Sequence, residues 1–540
     1  MELSYVVIVC FLLSLAIFDL WVGVSNDAVN FLNSAIGAKV ARFRTVLVIA
    51  AVGVFFGAVT SNGMMDVARH GIIVPSNFSF EQVMMIFMAV MVTDVIILDI
   101  FNNLGLPTST TVSMVFELIG GTFALACIKV IGDSSLELTQ LLDAGSALKM
   151  IAAIFFSVLV AFALGTVVQW VSRLAFTFKY RERLKYFIGL FGGFSFTVML
   201  FFVFYQGLKT ASFVTDADRA WVNQHFLLLV ACAFVASALL SQLLHILKVN
   251  VLRIIVLSGT FSLALAFAGN DLVNFIGVPL AGLSSFLDYF ANGSGNASTF
   301  MMTSLEESAS SPLLYLVIAA AVMITAMTMS KKAKNVIKTS VDLSAQDEGN
   351  EMFGTSRAAR SIVRTSQSVI DMFTRIVPHP VRRKVATRFN TADISLPKGA
   401  AFDEVRASIN LVMSAMLIIL GTTQKLPLST TYVTFMVAMG TSLADKAWGR
   451  ENAVFRITGV LSVVGGWLLT AAIASTACAI VVTCMYFGRF PVQCLFMVAV
   501  GLILWRSNKR YNKKQKARAE DDTFQLLIRT TDTDVAWELL

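Results

Sequence analysis

Runs of about twenty apolar residues, separated by short polar or basic stretches, recur along the chain, and each is long enough to cross a bilayer as a helix. The first, residues 3–38, is interrupted by Gly23-Val24-Ser25-Asn26, which predicts a broken helix. A second span covers 46–62, and 63–82 reads as a polar loop. Residues 83–104 and 107–127 predict two helices meeting at a polar tip. Pro107, with Thr108, Ser109, Thr110 and Thr111 beside it, marks a helix N-terminus there. Spans at 147–172, 186–206 and 225–247 follow. Another apolar unit starts near 252, and a loop at 281–311 separates it from a span at 312–329. Residues 331–400 are polar and basic. Within them Ile362, Val363, Val369, Ile370, Phe373, Ile376 and Val377 have near-helical spacing, as in a helix on the membrane surface or one packed against the protein. Residues 405–421 and the run to 443 repeat the two-helix pattern. Spans near 453–483 and 491–506 close the membrane part.

Two polar patterns return inside these apolar surroundings. Asn26-Asp27-Ala28-Val29-Asn30-Phe31 reappears as Asn270-Asp271-Leu272-Val273-Asn274-Phe275, 244 residues later. Leu106-Pro107-Thr108-Ser109-Thr110-Thr111 reappears as Leu426-Pro427-Leu428-Ser429-Thr430-Thr431. Asp27 and Ser109 lie 82 residues apart, Asp271 and Ser429 158 apart. The excess of 76 is close to the length of the 331–400 stretch. The chain reads as two copies of one plan, the second carrying an insertion. A charge at mid-bilayer costs about 3 kcal/mol on insertion scales. A lone Asn-Asp reads almost as well as a buried structural pair, and a lone Pro-x-Ser-Thr-Thr as a helix cap. Their joint return in one order points to a polar site between the copies.

Charge orients the copies. Lys39, Arg42 and Arg44 place the loop after the first motif in the cytoplasm, and Arg173, Lys179, Arg181, Arg183 and Lys185 do so for 173–185. The 331–400 stretch has 13 Lys and Arg against 6 Asp and Glu, so it too is cytoplasmic. The first motif span then runs inwards and the second outwards. The first hairpin enters from outside, the second from inside. The expected fold is an all-α polytopic membrane protein: an inverted-topology repeat transporter with two broken Asn-Asp motif helices and two re-entrant helical hairpins. Its divisions are a first repeat (1–130, hairpin 83–127), connecting helices (131–250), the first part of the second repeat (251–330), the cytoplasmic insertion (331–400), the second hairpin with closing helices (401–506) and a cytoplasmic tail (507–540). The N-terminus lies outside, and residues 3–18 read as a retained span.

Composition agrees. Of 540 residues, 56% are hydrophobic and 14% charged, with a mean hydropathy of +0.75. That excludes an ordinary soluble domain. The net charge of +8 sits in loops beside spans, so the partner is membrane lipid and not nucleic acid. The six Cys show no CxxC spacing and the four His form no cluster. No cofactor is expected.

The candidate chemistry follows from the two patterns. The Ser-Thr-Thr tips offer hydroxyls, first-turn N–H groups and the positive end of a helix dipole, which suit an anion. Asn26, Asp27, Asn270 and Asp271 offer oxygens that suit a hard cation, with Na+ at Asp27 and Asp271. No Lys or Arg stands within either motif or between Pro and the last Thr of either tip. An oxyanion beside two carboxylates needs cations with it, so the inventory favours cation–anion cotransport. Many short donors match a tetrahedral oxyanion such as phosphate. Asp94 reads equally as an ion or proton ligand and as an interhelical hydrogen bond. Asp99 reads as solvated near the tip, and Glu117 has no assigned role.

These four stretches resemble the inorganic phosphate transporter (PiT) family. Asn26 through Lys39 is similar to its first Asn-Asp-x-x-Asn segment, Gly269 through Ala281 to its second, and 106–111 and 426–431 to its Leu-Pro-x-Ser-Ser/Thr-Thr tips. The resemblance implies symport of inorganic phosphate with Na+ or H+ in a plasma (inner) membrane, and a homodimer. It implies that Asp27, Asn30, Asp271 and Asn274 help form the ion and phosphate sites. It implies that Ser109, Thr110, Thr111, Ser429, Thr430 and Thr431 hold phosphate and nearby Na+. Asn33, Ala35 and Ala38 stand where relatives tend to have Gly and hydroxyl residues, Val278 separates Gly from Pro in the second motif, and Lys425 precedes the second tip. The rivals are the same fold carrying sulfate or metal–phosphate, a scaffold without transport, and an intramembrane aspartyl protease. The Tyr-Asp and Gly-x-Gly-Asp motifs of the last are absent, so no enzymatic activity is expected.

Overall fold

The computed structural model describes residues 2–104, 108–210, 215–293, 295–308, 311–330, 361, 379–389, 396, 400–445 and 452–529. They are helical almost throughout, with two isolated β-bridges, Ile73 with Leu142 and Ser79 with Met301. The first motif lies on α1 (Glu2–Asp27) and α2 (Val29–Gly37), followed by α3 (Phe43–Val59). The first hairpin is α4 (Phe80–Leu104) and α5 (Thr110–Gly132). Three long helices follow: α6 (Ala144–Phe176), α7 (Tyr180–Thr210) and α8 (Phe226–Ile246). The second motif lies on α9 (Val251–Asn292), and α10 (Leu313–Met329) comes next. The second hairpin is α11 (Glu404–Thr423) and α12 (Thr430–Ala444), and α13 (Asn452–Arg529) ends the described chain. Among the described residues, eight helices are long and apolar enough to cross a membrane.

The sequence expectation needs three corrections. α1 continues through Gly23–Asn26, and the interruption falls at Ala28, whose own φ −55 and ψ −25 are helical. The second motif helix is not broken. α9 runs 42 residues with Pro279 inside it and absorbs the first part of the expected 281–311 loop. Pro279 removes one N–H bond from the ladder, but the buried flanks hold the helical path. Residues 63–82 are not simply polar: Asp66–His70 is helical, and Met64, Met65, Val67, Ile72, Ile73 and Phe78 are buried. α13 is two helices that meet at Arg489 (φ 48, ψ −146), next to Pro491, in keeping with the two closing spans expected there. The helical spacing at 362–377 lies outside the described residues; of the insertion, His379–Arg388 is helical.

The packing is crossed between the halves. The second arm of the first hairpin, α5, lies on α13, while that of the second, α12, lies on α6. α3 lies on α9, and α10 lies on α1. Glycines let these seams close: a Cβ on Gly165 of α6 would stand 2.7 Å from the Val437 carbonyl oxygen of α12. α7 and α8 pair at the periphery, where Leu227, Leu239, Leu243 and Ile246 are exposed. An apolar helix left uncovered by protein is one that lipid covers.

Candidate functional site

Both motif helices and both tips meet at one buried point. Asp27 accepts from Thr110 Oγ1 at 3.1 Å through Oδ2 and from Thr431 Oγ1 at 3.2 Å through Oδ1. Asp271 accepts from Thr111 Oγ1 at 3.0 Å through Oδ1 and from the Thr430 hydroxyl through Oδ2. Asn30 Nδ2 donates to Thr431 Oγ1 at 3.0 Å and Thr430 Oγ1 at 3.4 Å. Asn274 Nδ2 donates to Thr111 Oγ1 at 3.0 Å, Thr110 Oγ1 at 3.3 Å and Asp271 Oδ1 at 3.1 Å. Asn26 holds the first tip, its Oδ1 accepting from Thr108 N at 3.2 Å. Asn270 holds the second, its Nδ2 donating to Leu428 O at 2.6 Å and to Asp271 Oδ1 at 2.8 Å. Asn26, Asp27, Asn270 and Asp271 are fully buried.

The pattern has exchange symmetry. Swapping the halves turns each Asp–Thr and each Asn–Thr bond into another bond of the set. Each Asp is held by both tips, and each far Asn reaches the tip of the opposite half. Ser109 and Ser429 act differently from the threonines. Each is the N-cap of its tip helix, Ser109 accepting from Val112 N and Ser429 from Tyr432 N, both at 3.2 Å. A cap of this kind is worth about 1 kcal/mol, and it aims the first-turn N–H groups at the meeting point. Leu106 and Pro107 lie outside the described residues.

Beside the site, on the second hairpin's side, a cavity of about 30 Å³ is lined by Asn30, Asn33, Asn410, Ser414, Thr431 and Thr434. A cavity of that size holds a water molecule or two. Lys425 is the αL residue (φ 55) of a Schellman turn ending α11, with Leu426 N bonded to Gly421 O and Lys425 N to Thr422 O, both at 3.0 Å. Its ammonium turns away from the carboxylates of the site and pairs with Asp66 at 2.9 Å.

Some of the polar residues escaped the sequence reading. Arg173, counted there as a loop charge, is fully buried. It binds Asp445 through Nε at 2.7 Å and Nη2 at 2.8 Å, and Asp403 through Nη1 at 2.7 Å. Asp403 and Asp445 sit at the start of α11 and the end of α12, so α6 clamps the base of the second hairpin. Asp99, read as solvated, is buried and accepts from the Ser507 hydroxyl. Thr434 adds a bond to Asn30 Oδ1 at 3.3 Å, and Thr422 one to Asn270 Oδ1 at 3.3 Å. A hydroxyl outside a repeated motif gives no signal in a single sequence.

Comparisons with known proteins bear on this arrangement. A solved structure described as "The sodium-dependent phosphate transporter" shares the fold: its TM-score is 0.62 at 16% identity, over 89% of this chain and 99% of that chain. A search of curated proteins returns no match. The sequence profile described as the phosphate transporter family matches residues 23–341, which takes in both Asn-Asp motifs and the first tip. That is more than half of the chain, its core is the polar meeting point just described, and the protein belongs to the phosphate transporter family.

Proposed function

We propose that the protein is a secondary symporter that imports inorganic phosphate with Na+ by alternating access. The observation that carries this reading is a proton count. Thr110, Thr111, Thr430 and Thr431 each own one O–H proton, and each gives it to Asp27 or Asp271. A phosphate between the tips needs those same donors. When the hydroxyls turn to the anion, each carboxylate loses two donors and gains a negatively charged neighbour. Na+ at Asp27 and at Asp271 replaces the lost bonds and cancels the repulsion, with the Asn26 and Asn270 amides as further oxygen ligands. Cation and anion sites therefore fill together. The capped N-termini of α5 and α12 add N–H groups and dipole to the anion's side, while Asn30 and Asn274 orient the threonines.

The name of the structural neighbour supports Na+ over H+ as the coupling ion. The exchange symmetry of the bonds supports an inverted repeat, with re-entrant hairpins meeting at the midplane. With the basic loops inside, the N-terminus is outside and the C-terminus cytoplasmic, in the plasma (inner) membrane that the family resemblance implies. The cavity beside Asn30 then leads towards the cytoplasm.

The test is uptake of radiolabelled phosphate into proteoliposomes under an imposed Na+ gradient or pH gradient, with unlabelled sulfate as competitor. Na+-driven uptake, indifferent to sulfate and lost in Asp27→Asn and Asp271→Asn, is expected. Uptake driven by the pH gradient alone makes the Asp residues proton carriers. Sulfate transport without phosphate uptake sinks the substrate assignment.

A further inference from the structure

About two helical turns from Asp27, on the first hairpin's side, lies a second group of carboxylates that the phosphate and Na+ reading does not use. Asp19 of α1, Asp94 of α4 and Glu117 of α5 are all buried to within 1%. Asp19 and Asp94 face each other across the α1–α4 seam, and Glu117 interacts with both. No donor is in hydrogen-bonding geometry with either oxygen of Asp19, either of Asp94 or Oε2 of Glu117, although the Ser113 hydroxyl stands near Asp94. Ser113 donates to the remaining oxygen, Glu117 Oε1, at 3.4 Å. The other titratable groups facing the cluster are Asp27 on α1 and Cys478 on α13. α10, also packed on α1, carries only Tyr315, and the acid nearest on α9 is Asp271, beyond Asp27. Among the described residues, no basic group offsets the cluster.

Packing does not require this acidity. In the second half the positions matching Asp19, Asp94 and Glu117 are Leu263, Ser414 and Val437, and an equivalent hairpin is built on them. Two desolvated carboxylates facing each other cannot both stay charged without a cation between them. Among the described residues, no three His, Cys, Asp or Glu are spaced to share a metal ion. A proton needs only two oxygens.

We infer that Asp19 and Asp94 form a proton-binding site, separate from the anion site, which holds a proton while the first hairpin is closed on α1 and releases it when the two part. Glu117 is the neighbour that keeps the pair from ionising together. This rests on the transport reading above, because release requires the hairpin to move. The seam is the natural place for the movement to be felt: Asp19 travels with the first motif helix and Asp94 with the hairpin arm. Opening the seam admits water to these buried carboxylates, and the proton leaves as they become solvated.

The experiment uses the full-length protein in proteoliposomes. Na+-driven phosphate uptake is measured from pH 5.5 to 8.5 for wild type, Asp94→Asn, and the double variant Asp19→Leu/Asp94→Ser, which carries the second half's residues. Dividing each variant's rate by wild type at the same pH removes the titration of phosphate itself. A ratio that changes at least tenfold across the range is expected, with Na+ dependence unchanged. A flat ratio overturns the proposal, and so does a change confined to Na+ dependence. Thermal unfolding should show both variants folded, since neutralising unpaired buried carboxylates removes a cost. Independently of transport, dicyclohexylcarbodiimide attaches to protonated carboxyls in apolar surroundings. Mass spectrometry should find the adduct on Asp19 or Asp94 at neutral pH and none on exposed Asp133. If wild type takes up no phosphate, the transport reading fails while the adduct still shows the bound proton. Absence of the adduct overturns the proton site whatever the uptake shows.

Discussion

The two hairpins are alike at their tips and opposite elsewhere. At the tips every Asp–Thr and Asn–Thr bond of one has its counterpart in the other. One level away, the first hairpin carries Asp94 and Glu117 where the second has Ser414 and Val437. At the base the order reverses: the second carries Asp403 and Asp445 on buried Arg173, and the first has buried Val83 and Leu125 at the matching positions. The surroundings of the site differ too. Asn33, Asn410 and Thr434 line the cavity on the second side, whereas Gly277, Val90 and Met114 match them on the first. On the proposed function the tips are constrained to be equal, because one anion is then held from both sides. Away from the tips, each half was free to place its buried charge at a different level.

The tip equivalence is open to the largest effect. Asp27→Asn and Asp271→Asn each remove a carboxylate bonded by both tips, and each should lower phosphate uptake by about 100-fold or more, since the charge that binds Na+ in the proposed mechanism is lost. A mild loss in one beside a severe loss in the other would break the equivalence. The base is next. Arg173→Met leaves two buried carboxylates without their partner and should destabilise the fold by about 3–5 kcal/mol in thermal or denaturant unfolding. Adding Asp403→Val and Asp445→Leu, which copies the first hairpin's apolar base, should recover most of that loss. Failure to recover would mean that the clamp does more than neutralise charge.

Access gives a third, smaller contrast. When the protein opens on the second hairpin's side, Asn410→Cys should react with a membrane-impermeant thiol reagent at least about tenfold faster than Val90→Cys, because Asn410 lines the polar cavity there and Val90 does not. Equal rates would place the opening elsewhere. Smallest of all is Lys425→Gly. It relieves a left-handed residue while losing a half-exposed ion pair, and the two changes are of similar size and opposite sign. Unfolding should shift by less than about 1 kcal/mol.

Much of the fold was legible because polar residues in apolar runs are costly and therefore informative. The motif helices, both hairpins and the capped tips lie close to where Asn-Asp and Pro-x-Ser-Thr-Thr put them. The crossed bonds were not legible, since nothing in Asn30 names Thr431 as its partner. Arg173 was misjudged because, at the end of an apolar run, an arginine looks the same whether water or Asp445 receives it. The unbroken α9 was hidden by Pro279, which marks a helix end in most single sequences. The role of Asp99 was hidden by distance, its partner Ser507 lying 408 residues away.

The crossed packing of α5 on α13 and α12 on α6 bears on chain continuity. Residues 331–400 join α10 to α11, but what holds the C-terminal piece to the rest is its seating on helices of the N-terminal piece, with Arg173 as the rivet. The covalent link is then dispensable. Two fragments, one ending and the other beginning within that stretch, should find each other in a membrane and rebuild a working transporter, whereas neither alone contains both tips.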